Sequence, residues 1–157
     1  MDRFKKWGVY APKDGKILTA YTSKSYGNTI IIEYPDKYRT LQAHNSILLV
    51  KNGELVKKGQ LIAMMGNTGY GIPRPNRHGH LGLIPPGRPL TNLIENCINP
   101  VPWLVDGGCY PYNTKVTYGF QHDYGDYLHE GVDFSGLEKN LIKGWKHGIE
   151  ANTQYYY

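Results

Sequence analysis

Glycine and proline punctuate this chain so often that no long helix can run through it. Nineteen glycines and ten prolines fall among 157 residues, and each either loosens the backbone or withholds an N–H that a helix interior needs. The runs between them are short and rich in β-branched and aromatic side chains. Thr29-Ile30-Ile31-Ile32-Glu33-Tyr34 and Arg39-Thr40-Leu41-Gln42-Ala43-His44 are the clearest. Such runs between turn residues predict strands in antiparallel hairpins, and the lack of strand–helix alternation argues against a parallel sheet. The length suits one domain with a substantial core and is too short for two.

Several local expectations follow. Val9-Tyr10-Ala11-Pro12 should be extended, with Lys13-Asp14-Gly15-Lys16 as a tight hairpin turn into a strand over residues 17–21. Residues 47–63 should hold two short strands around two glycine turns. Pro85-Pro86-Gly87 should end the strand before it, and residues 88–104 should include a short helix. Asp106-Gly107-Gly108 reads as a joint, followed by a strand over residues 116–120.

A net charge of +5, spread along the chain, suits an anionic polymer. No helix-turn-helix pattern, zinc-finger spacing or RNP aromatic motif favours nucleic acid, so none is expected as a partner. No apolar run approaches the ~20 residues of a membrane span. Residues 1–7 lack the apolar core of a signal peptide, so an extracellular destination would need another route, such as a phage release system. Cys97 and Cys109 have no Cys-x-x-Cys spacing, and either a disulfide or two thiols would fit.

The chemistry lies in the six histidines. His78-Gly79-His80 runs into an alternating apolar segment, and residues two apart on a strand point to one face. That suits one metal ligand and one neighbouring acid or base. His129-Glu130-Gly131-Val132-Asp133 adds a carboxylate four residues after a histidine. His80, His129 and Asp133 together would make an N,N,O set with an open fourth position, as catalytic zinc requires. A His-Glu-x-x-His helix is a poor reading of residues 129–133. Gly131 and Val132 disfavour helix, and Asp133 stands where the second histidine belongs. The glycine-rich hairpin over residues 52–63 is similar to that of biotinyl carrier domains, but Met64-Met65-Gly66 lacks the lysine they modify.

These motifs resemble the M23 peptidases, the lysostaphin- and LytM-type peptidoglycan metallopeptidases. The family pattern comprises a His-x-x-x-Asp, an Ala-His at a strand end and a His-x-His strand. Here they are His129-Glu130-Gly131-Val132-Asp133, Ala43-His44 and His78-Gly79-His80. Val9-Tyr10-Ala11-Pro12, Tyr26-Gly27-Asn28 and Val56-Lys57-Lys58-Gly59-Gln60 match as well, and the likeness covers residues 8–104 and 116–136. The resemblance implies an all-β fold on an antiparallel sheet with little helix. It also implies zinc (Zn2+) held by His80, His129 and Asp133, with His44 and His78 flanking the water, and bacterial peptidoglycan as substrate. Tyr70, Arg74 and Asn76, in a segment just before His78, are expected to line the substrate groove.

The order of the motifs departs from the family. There the His-x-x-x-Asp comes first; here it follows His80 by about fifty residues. A circular permutation within one domain of residues 1–157 is the expectation, with residues 105–157 supplying the displaced motif. A site completed by a swapped second chain, or a fragment of a tandem array, would be the other routes. A phage-derived wall hydrolase acting outside the cell is the expected setting. The rival in another class is a non-catalytic wall-binding or virion structural module.

Overall fold

Strands with apolar residues on both sides must be covered on both, and the middle of the chain contains two. In the computed structural model β3 (Gly27–Glu33) and β7 (His78–Ile84) are buried along nearly their whole length. The structure describes residues 7–69, 77–106, 108–112, 116–123, 125 and 128–135. The other strands are β1 (Gly8–Tyr10), β2 (Gly15–Ser23), β4 (Arg39–Leu48), β5 (Leu55–Val56), β6 (Leu61–Met65), β8 (Val116–Tyr118) and β9 (Val132–Ser135). Among the described residues they form one sheet in the order β5-β2-β3-β4-β7-β9-β8, with β6 pairing both β1 and β4. Every pairing is antiparallel.

Alternation along β3 sorts its isoleucines between two cores. Ile30 and Ile32 enter the main cluster with Ile17, Tyr34, Leu81, Tyr112, Val132 and Phe134. Ile31 faces the other way, with Leu41, Ala43, Ile84 and Cys97. The main cluster joins the first part of the chain to β9, so the late segment is built into the same core.

The expected hairpin between residues 9–12 and 17–21 does not form. β2 is already flanked by β3 and β5, so β1 has no edge of β2 to pair with. It pairs with β6 instead, and Tyr10 N–H donates to Pro111 O at 2.8 Å. Within residues 47–63, β5 and the start of β6 do occur, but each pairs elsewhere in the sheet. The single expected helix is two, α1 (Leu93–Asn96) and α2 (Val101–Val105). Cys97 turns extended after α1, and Ile98 bridges to Leu83 before Pro102 opens the second helix.

Candidate metal centre

Strand register brings the far end of the chain to the His-x-His segment. β9 lies antiparallel to β7, with His80 directly opposite Asp133 and Gly79 opposite Phe134. Gly79, between the two histidines, leaves room for Tyr112, because a Cβ there would run into the Tyr112 ring. That ring stacks on Phe134 at 4.7 Å, and its hydroxyl donates to His80 O at 3.2 Å. His129 precedes β9 in a turn fixed by two backbone bonds, Gln121 N–H to His129 O and His129 N–H to His122 O.

Three ligand-type atoms meet there. His80 Nδ1, His129 Nε2 and Asp133 Oδ1 are separated by 3.1 Å, 3.1 Å and 3.2 Å, a nearly equilateral triangle. All three residues are buried. His129 Nδ1 lies 2.8 Å from Gly119 O, a partner that can only accept, so the ring carries its proton there and turns the Nε2 lone pair to the centre. Putting the His80 proton on Nδ1 would leave its Nε2 lone pair facing the Glu130 carboxylate, 3.7 Å away. Putting it on Nε2 leaves lone pairs from all three residues converging, a set that a cation satisfies.

His44 and His78 border this triangle. The His44 ring centroid lies 4.8 Å from that of His78 and 5.9 Å from that of His80. His44 marks the point where β4 leaves β7, its partner up to Ala43, and takes up β6 from Asn45 onward. A bulge against β3 falls at the same place, and His44 has φ +63°, a left-handed backbone that histidine rarely adopts. Its N–H donates to Tyr26 O at 2.8 Å and its Nδ1–H to Thr68 O at 2.8 Å. The bend therefore aims Nε2 as the remaining ring nitrogen.

Electrostatics follow from burial and proximity. Burial, reinforced by the neighbouring His80, pushes His44 down to about 4, so it is neutral at ordinary pH. Burial alone would raise Asp133, but without a metal the His129 and His80 rings can also carry protons toward it, and hydrogen bonds from those protonated rings hold its carboxyl far below the usual range. His129 shows the reciprocal effect: burial works against its charge, and Asp133 outweighs burial to raise it. Glu130 is likewise lowered against burial by His80 and by the Tyr26 hydroxyl, which donates to Oε1 at 2.6 Å.

All five histidine and aspartate positions expected at the site thus lie together in one chain. Tyr70, Arg74 and Asn76 fall outside the described residues. His122 is exposed, with its ring beside Tyr118 and its carbonyl bonded to His129 N–H, and His147 lies outside the described residues. Cys97 and Cys109 are both thiols; Cys97 is buried, and Cys109 Sγ sits near Ala11 O and Pro12 O. Two participants, Glu130 and Tyr26, were not anticipated. The spacing of Glu130 within the His-x-x-x-Asp motif carried no sign that it would turn inward.

The sequence pattern described as Peptidase family M23 matches residues 4–90, more than half of the chain. The chain belongs to this family. The matched span ends before His129 and Asp133, which the M23 fold here supplies from β9 and the turn before it. LytU superposes with a TM-score of 0.56 at 27% identity, over 66% of this chain and 68% of that one. The catalytic domain of lysostaphin from Staphylococcus simulans gives 0.55 at 30% identity, over 64% and 71%. Peptidoglycan DD-endopeptidase ShyA of Vibrio cholerae is 36% identical over 88 residues, 56% of this chain and 20% of the relative. Murein hydrolase activator NlpD of Escherichia coli is 42% identical over 67 residues, 42% of this chain and 18% of the relative. The M23 chain thus spans about a fifth of the length of these curated relatives.

Proposed function

We propose that this chain is a zinc-dependent endopeptidase that hydrolyses peptide bonds of bacterial peptidoglycan. His80, His129 and Asp133 are its metal ligands, and His44 and His78 its acid–base pair. The observation that carries the proposal is the buried triangle of two imidazole nitrogens and one carboxylate oxygen. Ligand atoms at about 2.0–2.2 Å from a tetrahedral zinc stand roughly 3.3–3.6 Å from one another, so edges of 3.1–3.2 Å fit with little adjustment. Zinc bound there supplies Lewis acidity for the scissile carbonyl and for a water molecule.

The proton work falls to the flanking imidazoles. His44 is neutral and has committed Nδ1–H to Thr68 O, which leaves Nε2 to take a proton from the attacking water. His78, whose ring neighbours that of His44, completes the pair. Between them the two remove one proton and deliver another to the leaving amine. Tyr70, Arg74 and Asn76 remain proposed for the groove on sequence grounds. The setting proposed is the cell wall, in line with relatives named for peptidoglycan and murein.

The permuted order has support in distances along the sheet. Ser135 at the end of β9 pairs with His78, His78 bridges to Gly66, and Gly8 at the start of β1 pairs with Met64 near that bridge. Three strand spacings of ~4.8 Å and the two-residue step from Gly66 to Met64 at ~3.3 Å per residue put the end of β9 roughly 16 Å from the start of β1. A few extended residues at ~3.3 Å each could span that gap. This is the proximity that lets a chain be cut at one place and rejoined at another.

A second reading has one observation in its favour, the likeness to a murein hydrolase activator. In that reading the domain grips the wall without cutting it. Clearing of a peptidoglycan suspension separates the two. Hydrolysis is expected to release new amino groups, and to fall at least 100-fold with a chelator or with His78→Ala. Tight wall binding with no release of amino groups from any wall type would leave the binding role alone.

A further inference from the structure

Glu130 has no part in the three-ligand set, yet it is buried at 7% exposure beside the site. It faces His80 Nε2, the ring nitrogen remote from Asp133, so it is not a fourth ligand. Its Oε1 accepts from Tyr26 O–H at 2.6 Å and lies 3.7 Å from His80 Nε2. Among the described residues, neither Glu130 Oε2 nor His80 Nε2, both buried, has a hydrogen-bond partner. A buried carboxylate is costly unless donors surround it, and among the described residues the unpartnered polar atom that faces Glu130 is His80 Nε2, a potential N–H.

The backbone is shaped for this encounter. A Cβ at Gly131 would stand 2.7 Å from His80 Nε2 and would also collide with Leu81 O, so only glycine lets the 129–131 turn lie against that ring. The Tyr26 ring packs 5.7 Å from the His80 ring and so holds carboxylate and imidazole together from the other side. Metal-ligating histidines commonly donate their second N–H to a carboxylate, which fixes the tautomer and makes the ligating nitrogen more basic.

We propose that Glu130, held by Tyr26, is a positioning residue that takes the His80 Nε2–H and so presents Nδ1 as a metal ligand. The proposal rests on the zinc reading of the site and adds the device that sets its affinity. The 3.7 Å separation is longer than a formed hydrogen bond, so Glu130 and His80 Nε2 face each other within a small side-chain adjustment of one.

The test is zinc affinity by competition with a chromophoric chelator, alongside urea unfolding of the metal-free protein. Glu130→Leu should bind zinc roughly 10–100-fold more weakly, a loss larger than any fall in its metal-free stability, where the Tyr26 hydroxyl loses its acceptor. Glu130→Gln, which keeps a carbonyl acceptor, should recover part of the affinity, and Tyr26→Phe should lose some in the same direction. Wild-type affinity in Glu130→Leu would overturn the proposal. So would an affinity loss matched by an equal loss of metal-free stability, because that is a packing effect. Wild-type protein that takes up no zinc would overturn the metal centre itself, a separate failure.

Discussion

His44 sits at φ +63° beside a bulge of β4, and its burial holds the imidazole neutral to about pH 4. The consequence for stability has a definite sign. Between about pH 6.5 and 4 the unfolded chain binds a proton at this position that the folded chain does not, so stability falls as pH falls through that window. Above about 6.5 His44 contributes no such slope. His44→Asn keeps a residue type that tolerates the left-handed backbone and removes the titration. In metal-free protein the substitution should lessen the loss of stability from pH 6.5 to 4 by on the order of 2 kcal/mol. Parallel urea-unfolding series at several pH values measure it, and equal slopes in the two proteins would refute it. The residue types of the site were readable because histidine is scarce and each motif isolates one or two of them. The left-handed turn at His44 and the inward Glu130 were not readable, because both depend on which strands become neighbours.

At the scale of elements, β9 is the fragile part of the site. It has only four residues, paired with β7 and β8, and Phe134 packs its strand against Tyr112 and Tyr110. Phe134→Ala should cost about 3–5 kcal/mol, and should also weaken zinc binding, because Asp133 rides on the same strand. Phe134→Leu should cost much less on both counts. Unfolding and metal titrations on the two variants check this, and unchanged zinc affinity in Phe134→Ala would mean that Asp133 is placed by something else. Strand existence was legible from β-branched runs between turns, as in β3 and β4. Strand partnership was not. The turn chemistry of Lys13-Asp14-Gly15 suggested a hairpin, but β3 and β5 occupy both edges of β2 and send β1 to β6. Local turn preference is worth little against two competing ladders.

For the whole molecule, the proposed permutation requires that the end of β9 and the start of β1 lie near each other on the sheet, and the pairings that link them run through β7 and β6. A rearranged chain in which residues 116–136 precede residue 8 through a short flexible linker should therefore fold and bind zinc with the original stoichiometry. Failure of that chain to bind metal, while remaining folded by circular dichroism, would argue against permutation. Both halves of the site were legible in the sequence, His78-Gly79-His80 in one part and His129 to Asp133 in another. The closeness of the ends emerges only from pairing between residues far apart in the chain.

The central claim is that one chain gathers His80, His129 and Asp133 around one zinc ion. Elemental analysis of zinc on protein verified as monomeric by sedimentation tests it most directly. One zinc per monomer is expected, persisting on dilution and lost in Asp133→Ala. Zinc well below one per chain, or zinc shed as an oligomer dissociates, would contradict it.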